Sequence, residues 1–304
     1  MNQIVECVPN FSEGRHSETI KQLVEAVESV DEAFVLGSHV DTDHNRSVIT
    51  FVASPENVVD AALQAVATAA DLIDLRQHTG VHPRIGATDV LPFVPVRGVT
   101  MDQCVALAHE AGERIARELQ IPVYFYERAA LRKARARLEN VRQRGFEELR
   151  EQIGIDPLRA PDVGPPRVHK TAGSIAIGAR PFLIAFNVNL RTNDISIARA
   201  IARAVRARDG GLPYVKALGF ELKSRGLVQI SMNLIDYEST GLVAVFTAVR
   251  SLTESFGVEI AGTEIVGLVP EVALNRSALY FSLLENFTED LVLENCLRAR
   301  LKAG

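Results

Sequence analysis

No tryptophan occurs in the chain and tyrosine only five times. Proteins that hold single-stranded nucleic acid stack bases on aromatic side chains beside a basic groove. Lysine and arginine total 33 against 38 aspartate and glutamate, a net charge of −5. Neither the aromatic platform nor the positive face is provided, which argues against a nucleic-acid binder. The three cysteines, Cys7, Cys104 and Cys296, are far apart and form no CxxC or CxxH spacing. A structural zinc site and a disulfide framework are therefore not expected. Each lies in an apolar stretch and reads as a small buried hydrophobe rather than a nucleophile. The N-terminus has no basic leader followed by an apolar segment, and no run reaches the roughly 18 apolar residues of a membrane span. A cytoplasmic protein without membrane contact is expected. Also missing are GxSxG, HExxH, kinase, Walker and GxGxxG signatures.

What is present is an ordinary globular balance, 47% hydrophobic and 23% charged. The 304 residues suggest two domains. In the first half, 3–8, 33–39, 47–53, 89–96 and 122–126 read as strands. Helices are expected over 16–30, from Ser54-Pro55 to about Asp74, and from the capping-box sequence at Thr100 to about Leu119. The run 127–153 is highly charged and reads as a solvated helix. The segment 156–173, rich in proline and glycine, reads as a linker or a binding loop. In the second half, 182–190, 214–222, 227–235 and 258–269 read as strands. Helices are expected over 194–208 and 240–256, the latter closed by Gly257, and two more close the chain. Each half thus shows β-α-β-β-α-β order, the split-βαβ pattern. The fold class expected is α/β of the α+β type. It comprises two such subdomains, 1–176 and 177–304, each a mixed sheet with helices on one face, and a cleft between them.

Three clusters carry candidate chemistry. The densest runs from Gln77 to Asp89 and includes His78, His82, Pro83, Arg84 and two glycines. A histidine there suits a general acid or base, since its unperturbed pKa is about 6.5, or it tethers the loop through a backbone bond. His78 and His82 are four apart, but Gly80 and Pro83 break any shared helical face, so no metal site is expected. The second cluster is Asp41-Thr42-Asp43-His44-Asn45-Arg46. It reads as a turn between strands, or as a wall offering carboxylates to a cation and Arg46 to a carboxylate. The third, 164–173, reads as a linker, or as a stiff wall gripping a flat ligand with an anionic tail. Downstream, Asn187 and Asn189 alternate onto one strand face, where a polar ligand or a hydrogen-bond network is expected to satisfy them.

Several strings together resemble the formiminotransferase family, whose members are glutamate formimidoyltransferases and the transferase part of formimidoyltransferase-cyclodeaminases. They are Glu6-Cys7-Val8-Pro9-Asn10-Phe11-Ser12-Glu13-Gly14, His44-Asn45-Arg46, His82-Pro83-Arg84-Ile85-Gly86-Ala87, the stretch 89–98, the stretch 178–187, Gln229-Ile230-Ser231-Met232-Asn233-Leu234 and the stretch 264–270. They span nearly the whole chain. The resemblance implies two α/β subdomains with a tetrahydrofolate-binding cleft between them, in a homodimer. It implies a catalytic His82 and a folate-contacting loop of Gly164, Pro165, Pro166, Arg167, Val168, His169, Lys170, Thr171, Ala172 and Gly173. We add Arg180 and Lys170 for the anionic folate tail and Asn187 nearby. Arg46, Arg84, Asp41 and Asp89 are assigned to the donor. Two departures stand out: Val81 where the family often has Glu, and Lys170 where Pro or Ser is more usual. No cyclodeaminase domain is expected within 304 residues.

The chemistry so implied moves a formimidoyl group from N-formimidoyl-L-glutamate to N5 of tetrahydrofolate, in histidine degradation. A base must take the N5 proton and an acid must protonate the departing glutamate nitrogen. One histidine can do both in sequence. Tetrahydrofolate is then a co-substrate, small molecules are the only partners besides a second subunit, and no metal is required. The rival readings are a related folate enzyme using 5-formyltetrahydrofolate, hydrolysis of the formimidoyl group, and a non-enzymatic RNA-binding split-βαβ protein.

Overall fold

A computed structural model describes residues 1–80 and 83–302. The chain divides into two compact units, Met1–Arg180 and Pro181–Gly304.

The first unit is built on a seven-stranded sheet. Its strands are β1 (Ile4–Cys7), β2 (Asn10–Phe11), β3 (Phe34–Asp41), β4 (Arg46–Ala53), β5 (Thr88–Arg97), β6 (Val123–Glu127) and β7 (Ile175–Ala179). β1 and β2 share one lane, each pairing antiparallel with both β4 and β5. Proline at position 9 cannot donate to the ladder, so the lane is interrupted there. β3 flanks β4, and β7 then β6 extend the sheet beyond β5 in parallel. β3, β4, the β1/β2 lane and β5 form the expected split-βαβ core. The two short strands β2 and β7 were not anticipated. β7 runs through the expected boundary at 176/177 and belongs to this sheet.

The helices α1 (Ser17–Glu28), α2 (Val58–Leu72) and α3 (Met101–Leu119) pack on one face, over Val5, Cys7, Phe51, Leu91, Phe93 and Ile177. The capping box of α3 forms as expected: the Gln103 amide donates to Thr100 Oγ1 at 3.2 Å and the Thr100 amide to Gln103 Oε1 at 2.8 Å. α2 starts later than Ser54-Pro55 implied. Residues 54–57 close first as a turn, with the Asn57 and Val58 amides both donating to the Ser54 carbonyl.

The run 127–153 is not a solvated helix. It breaks into a turn of 3₁₀ helix at Lys133–Arg135 and two short helices, α4 (Leu138–Val141) and α5 (Gly145–Gln152). Val141, Leu149 and Ile153 pack under the second face of the sheet, against Val90, Tyr124, Tyr126 and Ala176. Strand alternation sends those four away from the main core, and burial of this second apolar surface stabilises the segment. Two arginines of the run are drawn inward. Arg135 is buried, with Nη1 2.6 Å from Asp162 and its guanidinium 4.8 Å over the Tyr124 ring. Arg142 pairs with Asp89.

The second unit holds β8 (Ile184–Leu190), β9 (Val215–Leu222), β10 (Leu227–Leu234) and β11 (Ile260–Val266) in the order β11-β8-β10-β9. Every pairing in this sheet is antiparallel rather than mixed, because consecutive strands and the two crossovers return the chain in opposite directions. α6 (Ile195–Val205) and α7 (Leu242–Ser255) bury Phe186, Val188, Val228, Ile230 and Met232 against one face. Asp194 caps α6 by accepting from the Ser196 amide at 2.8 Å, and Gly257 follows α7 with φ +65°. Two short helices, α8 (Leu279–Ser282) and α9 (Leu293–Lys302), complete the unit. No helix among the described residues is long and apolar enough to cross a membrane.

Candidate active site

Three segments of the first unit meet at the end of the β1/β2 lane. The hairpin turn between β3 and β4 is stapled by Asp41. One of its oxygens accepts the His44 amide at 2.8 Å and the other lies 2.6 Å from His44 Nδ1. Burial alone would raise the Asp41 pKa, but the hydrogen bonds from the His44 ring and backbone outweigh it and hold the carboxyl below its ordinary value. Asn45 is buried with φ +49°, a conformation asparagine tolerates better than most residues. Its Oδ1 accepts the Gly14 amide at 2.9 Å and its Nδ2 donates to the Thr79 carbonyl at 3.1 Å. The turn therefore clasps both the segment after β2 and the segment leading to the His82 loop.

His78 completes this clasp, with Nε2 3.0 Å from the Asn45 carbonyl. A carbonyl only accepts, so Nε2 carries the proton and Nδ1 presents a lone pair. Nδ1 is buried and finds no hydrogen-bond partner among the described residues. Burial chiefly pulls the His78 pKa down, the Asn45 bond opposes this, and Arg84 adds to it. The imidazole is thus neutral at physiological pH.

The recess beneath these groups is lined by Phe11, Ser12, His44, Asn45, Arg46, His78, Arg84 and Asp89. Ser12 fixes its floor, donating through Oγ to the Gly86 carbonyl at 2.7 Å and through its amide to the Ala87 carbonyl at 2.8 Å. Arg46 donates to Asn10 Oδ1. Burial of its guanidinium, with repulsion from Arg142, pushes its pKa down to about 9 against attraction from Asp89 and Asp41. It remains a cation at neutral pH. Arg84 donates to the His78 carbonyl at 3.2 Å and to Glu147 of α5 at 2.9 Å. Its Nε is buried without a partner among the described residues. Asp89 accepts the Ile85 amide at 2.9 Å through one oxygen. The other stands 2.7 Å from Arg142 Nη2, an ion pair by distance whose angle falls short of a hydrogen bond.

Of the residues expected at the donor, Arg46, Arg84 and Asp89 line this one recess, and Asp41 stands behind it holding His44. His82, with Val81, lies outside the described residues. The expected folate loop begins at Gly164, φ +96°, and closes in a tight turn. His169 and Gly173 exchange backbone hydrogen bonds at 2.8 and 3.1 Å. This turn docks on the recess floor, with the Ala87 amide on the Ala172 carbonyl and the Ser174 amide on the Ile85 carbonyl, both at 2.9 Å. Pro165 and Val168 are half-buried, while Pro166, Arg167 and Lys170 are exposed. Thr171 Oγ1 lies 3.3 Å from the Ala70 carbonyl. Arg180 follows β7, its amide donating to the Phe93 carbonyl at 3.1 Å, and its charge acts on buried Glu6.

In the second unit, Asn187 and Asn189 do share a face, and the network expected there exists. Asn187 Nδ2 donates to Glu264 at 3.1 Å, Asn189 Nδ2 to Glu285 at 3.2 Å, and Gln229 to Asn189 Oδ1 at 3.0 Å. Asn187 Oδ1 remains buried without a partner among the described residues.

Sequence reasoning missed Arg142 because it lies in the charge run. The apolar residues Leu138, Val141, Phe146 and Leu149 within that run were the available sign of a buried side.

The comparisons with known proteins agree with this layout. Residues 4–180 match the model of the formiminotransferase domain, N-terminal subdomain, and residues 185–299 that of the formiminotransferase domain. The chain is 47% identical over 293 residues to a glutamate formimidoyltransferase of Thermoplasma acidophilum, covering 96% of each. It is 42% identical to one of Streptococcus pyogenes, covering 98% of this chain and 99% of that one. A formimidoyltransferase-cyclodeaminase of Rattus norvegicus is 41% identical over 99% of this chain but only 56% of its own length. The chain belongs to the formiminotransferase family.

Proposed function

We propose that the protein is a glutamate formimidoyltransferase, moving the formimidoyl group of N-formimidoyl-L-glutamate to N5 of tetrahydrofolate in histidine degradation. Full-length identity to relatives of that name supports the reaction. The observation that carries the donor assignment is the recess with Arg46 and Arg84 in its wall, the latter with a buried N–H that has no acceptor among the described residues. A dicarboxylate donor supplies such acceptors, and guanidinium–carboxylate bonds fix orientation as well as energy. Asp41, kept ionised, acts from behind the recess by holding the His44 ring, which lines it and faces the formimidoyl end. Tetrahydrofolate, when bound, supplies the accepting amine. The loop 164–173 suits its flat ring and, through Arg167 and Lys170, its anionic tail. Arg180 adds a further cation. His82 takes the proton from the accepting nitrogen and returns it to the departing glutamate nitrogen. Holding both substrates in register supplies much of the acceleration. The enzyme works in the cytoplasm as a homodimer.

The decisive assay is formation of 5-formimidoyl-tetrahydrofolate from the two purified substrates, run with and without tetrahydrofolate. Turnover without the folate would replace the proposal by hydrolysis. His82→Ala should stay folded and bind tetrahydrofolate yet lose about 10²–10⁴ in kcat, the usual worth of an acid/base group. Near wild-type turnover in that variant would pass the role to His44 or His78.

A further inference from the structure

The turn 169–173 is closed by a side chain as well as by its backbone. The Ala172 amide donates to His169 Nδ1 at 3.1 Å. A ring nitrogen that accepts carries no proton, so the imidazole is neutral with its hydrogen on Nε2. Ala172 is only 3% exposed, so losing that acceptor would leave a buried amide unsatisfied. Thr171 Oγ1 lies 3.4 Å from the same ring nitrogen and donates to the Ala70 carbonyl. At that length it is a weak acceptor for a proton arriving on Nδ1.

Ala172 is also where the turn is tied to the recess. Its carbonyl accepts the Ala87 amide at 2.9 Å, and the neighbouring Thr171 carbonyl accepts the Leu75 amide at 2.9 Å. His169 thus fixes a residue that joins the loop to the segment after His82. Protonation of the ring sets two N–H groups against each other, Nδ1–H and the Ala172 amide. The ring must then swing away and the amide loses its acceptor. The charges on the elements packed against the turn are Asp71 in the last turn of α2, the Asp74–Arg76 ion pair beyond that helix, and Lys170 in the turn itself. The strip 85–87 brings none. Burial pulls the His169 pKa below its ordinary value, against the opposing pull of Asp71. The fold therefore favours the neutral ring. The stability this lends is complete above the ordinary imidazole pKa of about 6.5 and is lost as pH falls through the folded value.

We propose that His169 is a positioning residue that works as a pH-sensitive latch on the 164–173 loop. As a neutral imidazole it holds the Ala172 amide and keeps the turn closed on the recess floor; as an imidazolium it lets go. The effect on folate binding rests on the function proposed above, whereas the latch itself does not. Acidification then loosens the loop before the two units unfold.

The test follows the full-length protein by NMR from about pH 7.5 to about pH 5, with labelled histidine, and compares wild type with His169→Asn and His169→Leu. The His169 ring should show the Nε2–H tautomer at the upper pH. Protection of the Ala172 amide from exchange should fall about tenfold along the titration curve of that ring, the size of one lost acceptor. Asparagine offers a non-titrating oxygen close to where Nδ1 stands. His169→Asn should keep Ala172 protected across the range, and its tetrahydrofolate Kd should lose the part of the pH dependence that tracks His169. His169→Leu has no acceptor, so Ala172 should exchange about tenfold faster at every pH. A ring that protonates while Ala172 stays protected overturns the inference, as does an Nδ1–H tautomer or a ring that stays neutral throughout the range. Should His169→Leu not fold, the wild-type titration and His169→Asn still decide the matter. Amide protection that follows the ring while the tetrahydrofolate Kd does not would keep the latch and remove the loop from the folate site. No tetrahydrofolate binding by wild type would refute the transferase reading and leave the latch to be judged by exchange.

Discussion

Replacing Gly173 by alanine tests whether the docked turn holds the two halves of the candidate site together. Gly173 has φ +71°, and a Cβ built there would lie 2.4 Å from the Ile85 carbonyl oxygen and 2.6 Å from Leu75 Cδ1. The left-handed conformation costs an L-residue about 1–2 kcal/mol. The leucine methyl can rotate aside, but the carbonyl is backbone and is held by the Ser174 amide. The turn must therefore lift from residues 85–87. That lengthens the Ala87-to-Ala172 and Ser174-to-Ile85 bonds, each worth about 1 kcal/mol net. The sum is about 3–4 kcal/mol, a fall in melting temperature of about 6–15 °C for a unit of this size. Urea melts give the total. Amide hydrogen exchange at Ala87 and Ser174 gives the location, and both should exchange about a hundredfold faster if the loss is local. Tetrahydrofolate affinity and turnover should fall together if the loop grips the folate as proposed, since the turn is part of that loop and rests on the segment after His82. An unchanged urea midpoint with slow exchange at both amides would refute the reasoning.

Arg135→Met leaves Asp162 buried without its closest cation. It should destabilise the first unit by about 3 kcal/mol, the low end for a broken buried pair, because Arg132 Nε stands 3.4 Å from the same carboxylate. Arg135→Met/Asp162→Asn should cost less than the single change, and a double-variant urea melt that shows a larger loss would contradict this. Glu6 gives a pH signature: burial lifts its pKa from 4.5 to about 7, against the pull of Arg180. A raised carboxyl favours the folded state fully below the unfolded pKa, and that contribution is lost as pH rises through about 7. It amounts to about 3 kcal/mol. The melting temperature should fall between pH 5 and pH 8, and Glu6→Gln should flatten that fall; parallel pH profiles for the two proteins would remove Glu6 as its source.

Periodicity and capping signals are local, and they made the split-βαβ order legible. The Thr100–Gln103 box formed where the four-residue pattern placed it, and the alternation that puts Asn187 and Asn189 on one face pointed to a polar ligand or a hydrogen-bond network there, of which the network is present. The short strands β2 and β7 were not legible. A two-residue strand has no measurable period, and β7 is a strand because β5 and β6 offer it unpaired edges, not because of its own composition.

The candidate site divides along the same line. The sequence by itself determined which residues could do chemistry, since the Asp41–Arg46 turn, the string after His82 and the 164–173 loop all stand out by side-chain type. Only the tertiary structure decided how they cooperate. It folded the loop back so that Gly173 seats on Ile85, and it turned a charge run inward so that Arg142 meets Asp89. Charge composition reports that a segment is soluble on average. Whether one guanidinium in it is buried depends on a carboxylate 53 positions away, brought near by a sheet whose second face needed covering. No local pattern encodes a pairing at that separation, because its energy comes from the shared burial of both partners and from neither alone.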